Sequence, residues 1–149
     1  MANNITIDSS VLISSLIEDE KFSKISKRFI SFLRDGNYTV HAPITVLLEV
    51  LKVYYRKTTN REAVNFLYQR FMDWNITRKL IIINVESYFL IQFMEIQRLY
   101  DLKTADAIIA TTAHLLKYPL ITWDEKMLKH CKRKITCMTP KTFLKKFNK

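Results

Sequence analysis

The sequence predicts an α/β protein in which a parallel sheet is covered by helices on both faces, and three observations predict it. Short apolar runs rich in β-branched residues read as strands. Longer segments between them carry apolar residues at helical offsets of three and four. No tight-hairpin signal such as Asn-Gly joins successive runs. Strands alternating with helices imply crossovers and a sheet buried on both faces. In such sheets ligands collect beyond the carboxyl ends of the strands.

The expected elements follow in order. Ile5–Ile7 is the first strand, and 10–17 and 20–34 are helices with Leu12, Ile13, Leu16 and then Phe22, Ile25, Phe29, Phe32 and Leu33 on their apolar faces. Tyr38–Ala42 is a strand, and Pro43 suits the first turn of a helix running to about Arg56. Thr59 or Asn60 caps a helix through Trp74. After the strand Leu80–Ile83, Asn84 or Ser87 begins a helix with Phe89, Phe93, Ile96 and Leu99 on one face. Thr104 caps a helix through Lys117. Leu120–Thr122 and Ile135–Met138 are strands, and a last helix starts at Pro140 with Phe143, Leu144 and Phe147 inward.

At 149 residues and 48% hydrophobic content, the chain is expected to form one domain over 1–149 with a proper core. A charged fraction of 26% argues against disorder. No run of 18 uncharged apolar residues exists, so no membrane span is expected. Met1-Ala2-Asn3-Asn4 lacks the basic and hydrophobic parts of a secretory signal, which points to a cytoplasmic protein. Cys131 and Cys137 match no zinc spacing, and a reducing compartment argues against bridging them. Residues 117–149 hold ten Lys or Arg against Asp124 and Glu125, so eight of the ten net positive charges lie there. A basic lobe beside an acidic cluster suits a polyanion such as nucleic acid, while a solvated lysine-rich tail is the plainer reading.

Four carboxylates stand where apolar or neutral side chains are expected. Asp8, followed by Ser9 and Ser10, closes the first strand, where a helix cap is the plain alternative. Glu49 shares a helix face with Val46 and Val53, which predicts at least partial burial. Asp106 falls in the first turn of its helix, where backbone amides favour an ionised carboxylate, and Asp101 reads as a turn residue. Asp124 ends the fourth strand in a Thr-x-Asp with Thr122, again with capping as the alternative. Carboxylates withdrawn from water need a partner, and several in one cleft drive protons onto one another unless a cation offsets the charge. An oxygen-only ligand set selects magnesium or manganese rather than zinc.

Taken end to end, the chain resembles the PIN domain family and, more narrowly, VapC-type toxin ribonucleases. The resemblance rests on Ile7-Asp8-Ser9-Ser10-Val11-Leu12-Ile13, Ala42-Pro43 through Leu48-Glu49-Val50, Leu102 through Ala110, Leu120 through Asp124, and Met138 through Leu144. It implies an α/β/α sandwich in which Asp8, Glu49, Asp106 and Asp124 are the catalytic, metal-holding quartet. Ser9 (or Ser10) and Thr122 would support the quartet. It also implies a homodimer and a cognate antitoxin. Glycine is sparse, and Tyr100-Asp101-Leu102 stands where the family commonly has Gly-Leu.

The expected activity is endoribonucleolytic, with one or two Mg²⁺ or Mn²⁺ ions orienting the scissile phosphate for in-line attack by water. Two such ions would lie roughly 3.5–4 Å apart. Basic residues of the C-terminal third, with Lys24, Lys27 and Arg28, would grip the RNA backbone, and Tyr54, Tyr55 and Trp123 are candidate base-stacking platforms. Two rivals stay open: an RNA-processing nuclease of the same fold without a toxin role, and a non-catalytic RNA-binding module.

Overall fold

In the computed structural model, which describes residues 3–147, five strands form one parallel sheet. They are β1 (Asn3–Ile7), β2 (Tyr38–Pro43), β3 (Leu80–Ile83), β4 (Leu120–Ile121) and β5 (Cys137–Met138), in the spatial order β3-β2-β1-β4-β5. Met1 and Ala2 of the N-terminal reading, and Lys149 of the basic tally, lie outside the described residues. Ile5, Thr6 and Ile7 are all buried although they alternate between faces. Only a sheet covered on both sides allows that, as the sequence predicted.

The helices are α1 (Ser9–Leu16), α2 (Ser23–Asp35), α3 (Ile44–Thr58), α4 (Arg61–Ile76), α5 (Phe89–Tyr100), α6 (Thr104–Leu116), α7 (Glu125–His130) and α8 (Pro140–Phe147). α2 packs on β2, α1 and α8, and the Phe29 and Phe143 rings meet edge to face at 5.4 Å between α2 and α8. α6 packs on β1, β2 and α5. Helices on both faces of one sheet make the three-layer sandwich.

The chain steps from β1 to β2 to β3 in one direction, then returns to place β4 on the other side of β1. The order therefore reverses between β1 and β4, opening a crevice beyond their carboxyl ends. Thr6 pairs with Leu120 and Ile7 with Ile121, so Asp8 leaves the sheet level with Thr122.

Several boundaries differ from the sequence reading. Asn60 caps α4 as expected, its side chain accepting from Ala63 N at 3.1 Å. Thr104 does not cap α6; it is the first helical residue, and the cap position falls to Lys103 without a side-chain bond. α5 begins at Phe89, after a turn in which Phe89 N bonds Glu86 O. Pro43 ends β2 and is the cap residue of α3, one position before the first helical residue, Ile44. With one glycine in the chain, the left-handed positions closing α3, α5 and α6 fall to Thr59, Asp101 and Lys117. Asp101 is thus a turn residue, standing where a glycine would be unstrained. Among the described residues no helix is long and apolar enough to cross a membrane.

Candidate metal and nuclease site

Asp8 is the anchor. It occupies the cap position of α1, yet its side chain makes no capping hydrogen bond. The carboxylate instead accepts from Ser10 Oγ at 2.6 Å and Thr122 Oγ1 at 2.7 Å, both on Oδ2, with a longer contact from Ser9 Oγ to Oδ1 at 3.3 Å. Only 4% of its surface is exposed. Burial pushes its pKa up, the Ser10 and Thr122 hydroxyls oppose that, and the charge of Glu49 adds to the rise.

The same two hydroxyls stitch β1 to β4. Thr122 Oγ1 accepts from Asp124 N at 2.9 Å while donating to Asp8, and Ser10 Oγ accepts from Trp123 N at 3.1 Å. One hydrogen-bonded frame thereby sets the positions of Asp8 and Asp124. Ser10, more than Ser9, is the supporting hydroxyl of the first strand end.

Asp124 is a helix cap, the plainer of the two readings its sequence position allowed. Its Oδ1 accepts from Met127 N at 2.8 Å and caps α7, and its half-buried carboxylate raises the pKa of Asp106 by proximity. Asp106 sits in the first turn of α6. Burial is the main cause of its raised pKa, followed by the charges of Asp124, Asp8 and Glu49, with Lys103 acting the other way. The helix amides that favour an ionised Asp106 are therefore opposed by desolvation and by three like charges. Glu49 departs from expectation: it is exposed, although Val46 on its face is fully buried and Val53 half-buried. No neighbouring element covers α3 at that point of the wheel.

Asp106 thus lies within electrostatic reach of Asp124, Asp8 and Glu49, and Asp8 within reach of Glu49. Among the described residues, however, no three His, Cys, Asp or Glu side chains are grouped tightly enough to form a ready-made metal cage. None of the four makes an ion pair with a described residue. The donor set fits a hard divalent cation of the magnesium type, which keeps several waters and takes only one or two carboxylates directly. Cys131 and Cys137 are free thiols joined by a hydrogen bond that draws the Cys131 thiol down and pushes Cys137 up.

Sequence reasoning missed the frame behind the site. Trp123 stacks on Phe22 with ring centroids 4.1 Å apart, and its Nε1 donates to Ser26 Oγ at 2.8 Å. Ser26 is in turn bonded to Ser14 Oγ at 2.7 Å. Trp123 is therefore a tether for the Thr122–Asp124 loop, its ring already engaged, rather than the open base platform expected. Tyr54 packs against the core edge, and Tyr55 remains exposed. The only hint was a run of serines at apolar helix positions, Ser14, Ser23 and Ser26, all of them buried. The basic residues are also redistributed: Lys117, Lys134 and Lys146 ring a cavity at the amino ends of β4 and β5, away from the acids.

Fold and site define the class first: a parallel α/β protein whose acidic groups gather at the switch point of its sheet, as in phosphodiester-cleaving nucleases. Residues 5–133 match the PIN domain, and the chain belongs to the PIN domain family. No curated protein is close enough in sequence to match. Solved structures are similar throughout. A toxin–antitoxin complex from Klebsiella pneumoniae shares 21% identity at a TM-score of 0.64, covering 91% of this chain and 97% of that one. FitAcB from Neisseria gonorrhoeae shares 16% at 0.67, covering 91% and 97%. The sarcin–ricin-loop-cleaving toxin VapC20 of Mycobacterium tuberculosis shares 17% at 0.64, covering 81% and 90%. At these identities the likeness establishes the fold.

Proposed function

We propose that the protein is a Mg²⁺- or Mn²⁺-dependent endoribonuclease, acting as the toxin of a type II toxin–antitoxin pair in the cytoplasm. One observation carries the reading: Asp8 is buried at the switch point with no basic partner among the described residues, and Asp106 feels the charges of Asp8, Asp124 and Glu49. Asp8, Asp106 and Asp124, with Glu49 at the rim, would hold the cation, which when bound supplies Lewis acidity at the scissile phosphate and offsets charge on the attacking and departing oxygens.

The chain's own groups do the rest. Ser10 and Thr122 fix the Asp8 carboxylate through two hydrogen bonds to Oδ2. Asp124 spends one oxygen on the α7 cap, which fixes its rotamer. Glu49, exposed and free of ion pairs among the described residues, accepts the proton of the attacking water. Lys103, beside Asp106, meets the incoming backbone.

Support for the toxin role comes from the neighbours' own descriptions, a toxin–antitoxin complex and a sarcin–ricin-loop-cleaving toxin. A cognate antitoxin and a second copy of the chain both need apolar surface. α5 offers it, with Leu90, Ile91 and Met94 exposed at 58%, 75% and 67%.

Cleavage of a single-stranded RNA by the parent and by Asp106→Ala, with Mg²⁺ and with EDTA, tests the catalytic reading. Parent cleavage abolished by EDTA and by the substitution is expected; equal cleavage by the variant in Mg²⁺ overturns the site. Growth arrest on expression, relieved by co-expression of a protein encoded alongside, tests the toxin role. Cleavage without arrest assigns the chain to RNA processing instead.

A further inference from the structure

The C-terminal basic residues gather around a cavity of about 490 Å³ that lies at the other end of the sheet from the carboxylates. Its lining includes His114, Lys117, Tyr118, Lys134, Lys146 and Phe147. Pro119 and Thr136, which immediately precede β4 and β5, form its inner wall. Asp124 lies five residues beyond Pro119, at most about 17 Å of extended chain.

We propose that this cavity is a second RNA-binding site, seating one unpaired nucleotide of a strand whose scissile bond lies in the carboxylate crevice. The inference rests on the ribonuclease reading and adds to it a defined docking point for the substrate.

Three properties select a nucleotide. The cavity volume falls in the usual range for small-ligand sites, roughly 300–1,000 Å³. Two of its three lysines are uncompensated: Lys134 is bound to Glu95 at 2.8 Å, whereas Lys117 and Lys146 make no ion pair among the described residues. Cations in turn stand beside aromatic rings. Lys146 Nζ lies 5.2 Å from the centroid of Phe147, and Phe147 is 45% exposed while its ring leans on Phe143 at 4.6 Å. Tyr118 is braced from behind by His41, centroids 4.8 Å apart. Cations beside braced rings are how single strands are held without sequence preference, phosphate on lysine and base on π-face. A bare phosphate would have no use for the rings. Lys117 closes α6 in a left-handed conformation, its amide bonded to Ala113 O and His114 O, so the backbone beneath that side chain is fixed.

Fluorescence anisotropy with a labelled single-stranded RNA, in EDTA so that nothing is cleaved, tests the proposal. Lys117→Ala/Lys146→Ala should weaken binding at least about tenfold near 0.1 M salt and flatten the log–log salt dependence by about 1.4, two phosphate contacts at ~0.7 each. Phe147→Ala should weaken binding about 5-fold or more with the salt slope unchanged. Lys52→Ala/Lys57→Ala on α3 serves as the charge-matched control. An equal loss in that control, or no loss in the cavity variants, overturns the proposal. Double-stranded DNA competing as well as the RNA overturns the unpaired-nucleotide assignment. Failure is separable from that of the parent reading: if Asp106→Ala stops cleavage while the cavity variants bind like the parent, only the second site falls. If Asp106→Ala still cleaves while the cavity variants lose RNA, the carboxylate site falls and the cavity stands.

Discussion

The two ends of the same sheet solve opposite electrostatic problems. At the carboxyl end, like charges are drawn together and the most central, Asp8, is cut off from water, so its pKa rises despite three hydroxyl contacts. At the amino end, Lys117 and Lys146 stay on the surface, where water solvates them at little cost. The acidic end therefore stores unfavourable energy that a cation can release, while the basic end stores almost none and gains only when a polyanion arrives. A site for a small hard ion has to be built into the fold. A site for a long flexible strand can be laid on its surface.

That contrast can be broken most forcefully at Thr122. Thr122→Val keeps the shape but removes the donor to Asp8 and the acceptor for Asp124 N. Cleavage should fall about 10- to 100-fold, the usual cost of losing a partner that orients a metal ligand. Unchanged kinetics under identical Mg²⁺ would show that the frame between β1 and β4 is dispensable.

The stored energy itself is measurable. A carboxyl whose folded pKa is raised holds its proton more tightly in the folded chain than in the unfolded one. Its contribution to stability is therefore fully present below the ordinary value of 3.8 and is lost as pH rises through the raised one. Asp8→Asn should stabilise the metal-free protein at neutral pH by roughly 0.5–2 kcal/mol, a common outcome where function has kept a strained group. Thermal unfolding in EDTA should show the gap between variant and parent shrinking as pH falls. A gap that widens on acidification contradicts the sign. Taking the difference matters, because Asp35 and Glu95 have lowered pKa values and act in the opposite sense.

The smallest effect lies outside both ends and serves as a control. Thr59 sits at φ 50°, a strained position for a β-branched residue. Thr59→Gly should raise the urea midpoint by the equivalent of about 1 kcal/mol without touching cleavage.

How much of this was legible depends on distance along the chain. The succession of strands and helices along the chain, the helix faces and the Asn60 cap were legible because they are local patterns of period two, period 3.6 and capping. The places of Asp8 and Asp124 just beyond strands were legible because a strand end is a local event as well. Glu49 was misjudged because a helical wheel gives the direction of a side chain but not whether anything covers it. The Trp123–Ser26 and Thr122–Asp8 bonds join residues 97 and 114 apart, and no window of sequence contains both partners. Charge was the least legible: the tally found the basic residues but had no way to say that Lys117, Lys134 and Lys146 face away from the acids.

Cation binding read by thermal stability tests the central claim most directly, since it needs neither RNA nor turnover. Titrating Mg²⁺ or Mn²⁺ into the metal-free parent at neutral pH should raise its Tm progressively as the ion binds the folded state. The same titration of Asp8→Asn or Asp106→Asn should leave Tm nearly flat. Equal upward shifts in parent and variants, or no shift in the parent, would contradict a cation site at the junction of β1 and β4.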